Sequence, residues 1–105
     1  MTDLVQQLAS ELAVRPNQVE AAIKLIDEGS SVPFIARYRK EVTQGLDDTQ
    51  LRQLDTRLTY LRDLFDRREK VLESLKEQNK LTDDLLARVN AVETKNALEE
   101  IYAPY

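Results

Sequence analysis

The sequence predicts an all-α fold, a bundle of about six helices in which one long helix spans about residues 48–78. Two observations carry this prediction. The 105 residues include only two Gly and three Pro, beside 42% apolar and 32% charged residues, a composition suited to soluble, strongly helical chains. The apolar residues recur at steps of three and four and do not alternate, the helical period. The length suits a single domain with a modest core, about 1–105 here.

The elements follow in order. Thr2 and Asp3 can cap a first helix with Leu4, Val5, Leu8 and Leu12 on one stripe. Pro16 fits the first turn of a second helix, whose face carries Val19, Ala22, Ile23 and Ile26. Gly29 stands where a left-handed cap residue belongs. Ser31 and Pro33 open a short third helix through about Tyr38, with Phe34 and Ile35 expected in the core, and Thr43, Gln44 and Gly45 break it.

The fourth helix would be about 45 Å long at 1.5 Å per residue. Leu51, Leu54, Leu58, Leu61, Phe65, Arg68, Leu72 and Leu75 alternate steps of three and four, a heptad-like seam that only Arg68 interrupts. Arg68 could carry its charge out to water or reach a carboxylate on a facing helix. Leu64 and Val71 widen the apolar face in the second half, which suggests more than one neighbouring helix. The seam residues Leu51, Leu54, Leu58, Leu61, Phe65, Leu72 and Leu75 are also a candidate interaction surface. The middle or far end of this helix is expected to overhang the core and stay partly uncovered. Asp48–Arg52, Asp63–Arg67 and Asp66–Lys70 stand at (i, i+4) spacing, which favours solvated ion pairs. Thr82 then caps a fifth helix with Asp83 and Asp84 at its positive end, and Leu81 and Leu86 are placed for a hydrophobic staple. Thr94 caps a sixth helix carrying Leu98, Ile101 and Tyr102, and Pro104 prevents its continuation.

Catalysis finds little support. The sequence contains no Cys and no His, so thiol chemistry is excluded and the commonest general base and metal ligand are missing. The acid pairs Asp47/Asp48 and Asp83/Asp84 fall at helix starts, where acids are favourable for electrostatic reasons. The expectation is a non-enzyme with no metal, no cofactor and no small-molecule substrate. No apolar run approaches the ~18 residues of a membrane span, and the amino terminus lacks a signal-peptide pattern, so a cytoplasmic protein is expected.

The net charge of −4 is unevenly distributed. Residues 37–80 carry eleven basic and nine acidic side chains, whereas both flanking segments are acidic. Any phosphate contact must therefore be local. The candidate is Arg37, Tyr38, Arg39 and Lys40, where three cations surround a tyrosine. These cations could neutralise phosphates while Tyr38 stacks on a base. The competing structural reading pairs Arg37 and Lys40 with Glu41 or acids of the long helix, with Tyr38 packed between helices, or docks the arginines against a segment missing from this chain. Arg62, Arg67, Arg68 and Lys70 form a second basic group, but Asp63, Asp66 and Glu69 interleave with it, the pattern of a solvated face.

The block VPFIARYRKE from Val32 to Glu41, GLDDTQLR from Gly45, KLTDDL from Lys80 and the closing IYAPY resemble the amino-terminal region of the Tex family, bacterial transcription accessory proteins. The resemblance runs from about Arg15 to Tyr105. It implies that the chain is a fragment of a longer protein with ribonuclease-H-like, helix-hairpin-helix and carboxy-terminal S1 domains elsewhere. In that family the S1 domain is the main nucleic-acid-binding element, and the ribonuclease-H-like domain is regarded as inactive. RNA or DNA, and the transcription machinery, are the partners this resemblance implies for the whole protein. Gln44 stands where the family usually shows glycine ahead of Gly45.

Three readings remain open. The chain is a helical scaffold module of a Tex-like, RNA-binding transcription accessory protein, the preferred reading. Alternatively, it binds nucleic acid directly through Arg37–Lys40, or it docks polymerase or the missing domains through the long helix. An exposed Tyr38 ring beside unpaired arginines would favour direct binding, ion-paired arginines in a closed bundle would favour scaffolding, and an exposed seam would favour docking.

Overall fold

A computed structural model describes residues 2–105, the side chains of Thr2 and Asp3 excepted. The elements are α1 (Thr2–Leu12), α2 (Pro16–Asp27), α3 (Val32–Tyr38), α4 (Asp48–Glu77), α5 (Asp83–Ala91) and α6 (Lys95–Tyr102). This is an all-α helical bundle, and no strand occurs among the described residues. The expected caps of α1 at Thr2 and Asp3 lie outside the described side chains.

Each later helix start has a local cause. The hydroxyl of Ser31 accepts the N–H of Phe34, that of Thr82 accepts Leu85 N–H, and that of Thr94 accepts Ala97 N–H. At α4 the exchange is reciprocal. Asp47 Oδ1 accepts Gln50 N–H at 2.8 Å and Gln50 Oε1 accepts Asp47 N–H at 3.0 Å, a capping box built by an acid and an amide.

Helical segments end by a shared device. Ala13, Gly29, Gln44 and Asn79 all have positive φ, and the N–H after each bonds five residues back: Val14 to Ala9, Ser30 to Leu25, Gly45 to Lys40 and Lys80 to Leu75. This is the Schellman closure, which satisfies carbonyls the last turn leaves open. Only Gly29 among the four takes this conformation without a Cβ.

The chain divides into two compact units, residues 1–61 and 62–105, and α4 runs through the boundary. In the first unit α1 packs on α2 and α2 on α3. Leu8, Val19, Ile35, Leu46, Leu51, Leu54 and Leu61 are buried there, each at 1% exposure or less. Burying a side chain of this size contributes about 1.5–3 kcal/mol. In the second unit α5 packs on α6, and Leu64, Val71, Leu75, Leu85, Val89 and Leu98 form the core.

The seam of α4 changes register between the units. Leu51, Leu54, Leu58 and Leu61 are buried as the heptad spacing predicts, but the next buried residue is Leu64, followed by Val71 and Leu75. Phe65 and Leu72 are only half-buried. Two successive steps of three, Leu54's successor Leu58 to Leu61 and Leu61 to Leu64, break the heptad. The later part of α4 is thus partly covered: Leu64, Val71 and Leu75 are at 1% exposure or less, while Phe65 and Leu72 keep part of their surface in solvent.

Candidate nucleic-acid interface

α3 has seven residues, and its one fully buried side chain is Ile35. Phe34 and Tyr38, four residues apart, consequently share the outer side, at 38% and 61% exposure. The expectation that Phe34 joins the core is therefore corrected, because Ile35 takes the fully buried position and Val32 and Ala36 the half-buried ones. The two rings lie 5.2 Å apart between centroids and are tilted by 48°. The Arg37 guanidinium stands 5.9 Å from the Tyr38 ring centre, and that of Arg39 stands 5.0 Å from the Phe34 ring centre. Two rings and two guanidiniums thus form one surface cluster.

Arg37, Tyr38, Arg39 and Lys40 are all exposed, and no carboxylate pairs with the three cations among the described residues. Arg39 donates to the Tyr38 carbonyl at 3.1 Å, which fixes its head without neutralising it.

The backbone beneath is fixed by a residue that sequence reasoning missed. Gln18, buried on α2, accepts Arg15 N–H through Oε1 and donates through Nε2 to the carbonyls of Thr43 and Gln44. Thr43 is fully buried and its hydroxyl donates to the Lys40 carbonyl. The Arg15 side chain donates to the Gln44 amide oxygen. The turn after the cations is therefore tied to the start of α2, while the cationic side chains stay in solvent. The only available signal was a glutamine three residues after Arg15, the spacing of a capping box.

The arginines of α4 are used differently. Arg57 grips Glu11 of α1 with two bonds of 2.7 and 3.0 Å and lies 5.2 Å from the Tyr60 ring centre. Arg67 grips Glu99 of α6 with bonds of 2.7 and 2.8 Å and lies 5.4 Å from the Tyr102 ring centre. Such planar two-bond pairs are the strong form of the ion pair. Arg57 and Arg67 hold Glu11 and Glu99 below the usual carboxylate range, chiefly by hydrogen bonding. Asp48 pairs with Arg52 as its spacing predicts, whereas Asp63 meets Lys95 at 3.5 Å. Asp66 and Lys70 form no ion pair among the described residues.

Arg68 is half-buried and pairs with no carboxylate among the described residues. It donates from Nη2 to the Val92 carbonyl at 3.0 Å, at the negative end of α5, and lies 4.9 Å from the Phe65 ring centre. Its Nε is buried without a partner, and burial lowers its basicity. Of the candidate seam, Leu51, Leu54, Leu58, Leu61 and Leu75 lie inside the chain's own core, and Phe65 and Leu72 are half-buried. No group of three or more acids that could hold a metal occurs among the described residues, and no helix there is long and apolar enough to cross a membrane.

A helical module with an exposed aromatic and cationic helix is the class these features define. The chain belongs to the family described as Tex-like protein N-terminal domain, whose model matches residues 2–76. It is 60% identical over 98 residues to Protein YhgF of Escherichia coli (strain K12), covering 93% of this chain and 13% of that protein. It is 55% identical over 103 residues to the Transcriptional accessory protein Tex of Neisseria gonorrhoeae, covering 98% of this chain and 14% of that protein. A human protein named S1 RNA-binding domain-containing protein 1 is 31% identical over 103 residues, 98% of this chain and 10% of its own length. The chain thus spans about one-seventh or less of these relatives. Their similarity continues through α5 and α6, beyond the family model's end at residue 76.

Proposed function

We propose that this chain is the helical amino-terminal module of a cytoplasmic Tex-like transcription accessory protein, without enzymatic activity, and that it touches single-stranded RNA or DNA through α3. The observation that carries the reading is the contrast between two sets of arginines. Arg57 and Arg67 are engaged by glutamates from α1 and α6, whereas Arg37, Arg39 and Lys40 have no acidic partner among the described residues and flank two exposed rings. Free cations beside exposed aromatics suit a strand that offers phosphates and unstacked bases. The paired arginines support a scaffold role within each unit, and the two roles are compatible. The name of the Neisseria relative, Transcriptional accessory protein Tex, supports the accessory part of the reading.

The test is binding of single-stranded RNA and duplex DNA across a salt series, wild type against Arg37→Ala/Arg39→Ala/Lys40→Ala. Two or three phosphate contacts give a slope of log K against log salt of about −1.4 to −2.1 for a single strand. Loss of that binding in the folded triple variant is the expected result. A folded wild type that binds neither ligand at low salt leaves a scaffold alone.

A further inference from the structure

A depression of about 390 Å³ opens beside the cluster, lined by Glu28, Gly29, Ser30, Ser31 and Phe34. Its chemistry is opposite to that of its neighbours. Glu28 is exposed and has no ion-pair partner among the described residues. The N–H groups of Glu28, Gly29 and Ser30 are turned back to Lys24, Ile26 and Leu25 by the closure of α2. The hydroxyl of Ser31 already accepts Phe34 N–H. The walls therefore offer a ligand one carboxylate, two serine hydroxyls that can donate or accept, and one aromatic ring, and the carboxylate is their one acceptor-only side chain. The Glu28 carboxylate makes this place less favourable for phosphate than the neighbouring Arg37, Arg39 and Lys40.

We infer that this depression receives one unpaired guanine base, with the Glu28 carboxylate accepting from its N1–H and N2 amino groups and the Phe34 ring packing on it. The inference rests on α3 being a nucleic-acid surface. A nucleotide has an anionic end and a flat, polar-edged end, and a cationic site adjoining one with a carboxylate and an aromatic ring matches the two. Among the bases, guanine presents two adjacent donors on its pairing edge, the complement of a two-oxygen acceptor. Adenine and cytosine present a single amino group beside an acceptor, and uracil presents one N–H between two acceptors. Carboxylate-to-base bonds of this kind discriminate by about 5- to 150-fold.

The experiment uses the 105-residue chain and labelled decanucleotides of uridine carrying one central guanosine, inosine, adenosine or cytidine, read by fluorescence anisotropy. The guanosine strand should bind about 5- to 150-fold more tightly than the all-uridine strand. Inosine, lacking the amino group, should fall between them. Glu28→Gln should bring guanosine and uridine strands toward parity without weakening the uridine strand. Equal binding of all strands by the wild type overturns the guanine pocket and leaves the α3 surface standing. A guanosine preference unchanged in Glu28→Gln also overturns it. Binding of none of the strands overturns the surface and the pocket together, as expected if this face takes a protein partner.

Discussion

Gln18→Ala should be the most costly single change near the cationic turn. The substitution removes the acceptor for Arg15 N–H at 3.0 Å and the donor to the carbonyls of Gln44 and Thr43 at 3.1 and 3.3 Å. Hydrogen bonds of this type contribute about 0.5–1.5 kcal/mol each, and a buried carbonyl left unsatisfied costs about 1–3 kcal/mol. Thr43 is fully buried, so water cannot readily replace the lost donor at its carbonyl. The combined cost is about 2–4 kcal/mol, given that the other two groups are partly solvated. Urea unfolding should show the midpoint falling by about 1–2 M. Gln18→Glu keeps the size and the acceptor but turns an oxygen toward two carbonyls. At neutral pH it should be no better than alanine, and it should recover on acidification, because the protonated carboxyl regains a donor. That carboxyl's folded pKa is raised, so the penalty is present above it and fades as pH falls through it. A midpoint shift under about 0.3 M for Gln18→Ala, at an m-value of about 1–3 kcal/mol per M, would refute the account of Gln18 as the tie between α2 and the turn.

Ala13→Gly should stabilise the chain by about 1 kcal/mol in urea unfolding, because Ala13 holds a left-handed φ of 55° at the end of α1. No gain would mean that the lost chain stiffness cancels the relief. Acidification should cost stability through Glu11 and Glu99. Both titrate below the ordinary value of 4.5, so their contribution is full above it and is lost as pH falls through the lower folded values. Because both pairs are partly solvated, each contributes up to about 1 kcal/mol. Glu11→Gln/Glu99→Gln should therefore lose less stability than wild type between pH 7 and 3, and parallel curves would contradict this. Arg68→Met should be neutral or stabilising within about 1 kcal/mol, since it removes a charge whose Nε is buried without a partner. A loss above about 2 kcal/mol would make the bond to Val92 and the helix-end charge the dominant effects.

The helices were legible because their punctuation is chemical. Ser31, Thr82 and Thr94 are hydroxyl caps, Asp47 and Asp48 open α4, and Gly29 closes α2 with φ of 98°. The left-handed closures at Ala13 and Gln44 carry no such signal, since those residues are placed there by the turn and not by their own preference. The register step on α4 was hidden because Leu64 and Phe65 are both apolar, and only packing decides which turns inward. Charge partners were legible only at short range. Asp48–Arg52 follows from spacing, whereas Arg67 leaves Asp63 for Glu99, thirty-two residues on. The candidate cluster was legible in its cations and Tyr38. The place of Phe34 beside them was not, because a seven-residue helix decides between adjacent apolar residues by packing alone.

The step from Leu61 to Leu64 has a consequence for how the chain comes apart. A helix with one unbroken stripe tends to melt with the single core it serves. Here the same 30-residue rod serves two cores, each with its own set of leucines and its own arginine clasp, Arg57 on Glu11 and Arg67 on Glu99. Hydrogen exchange along this helix can therefore follow two cores and not one.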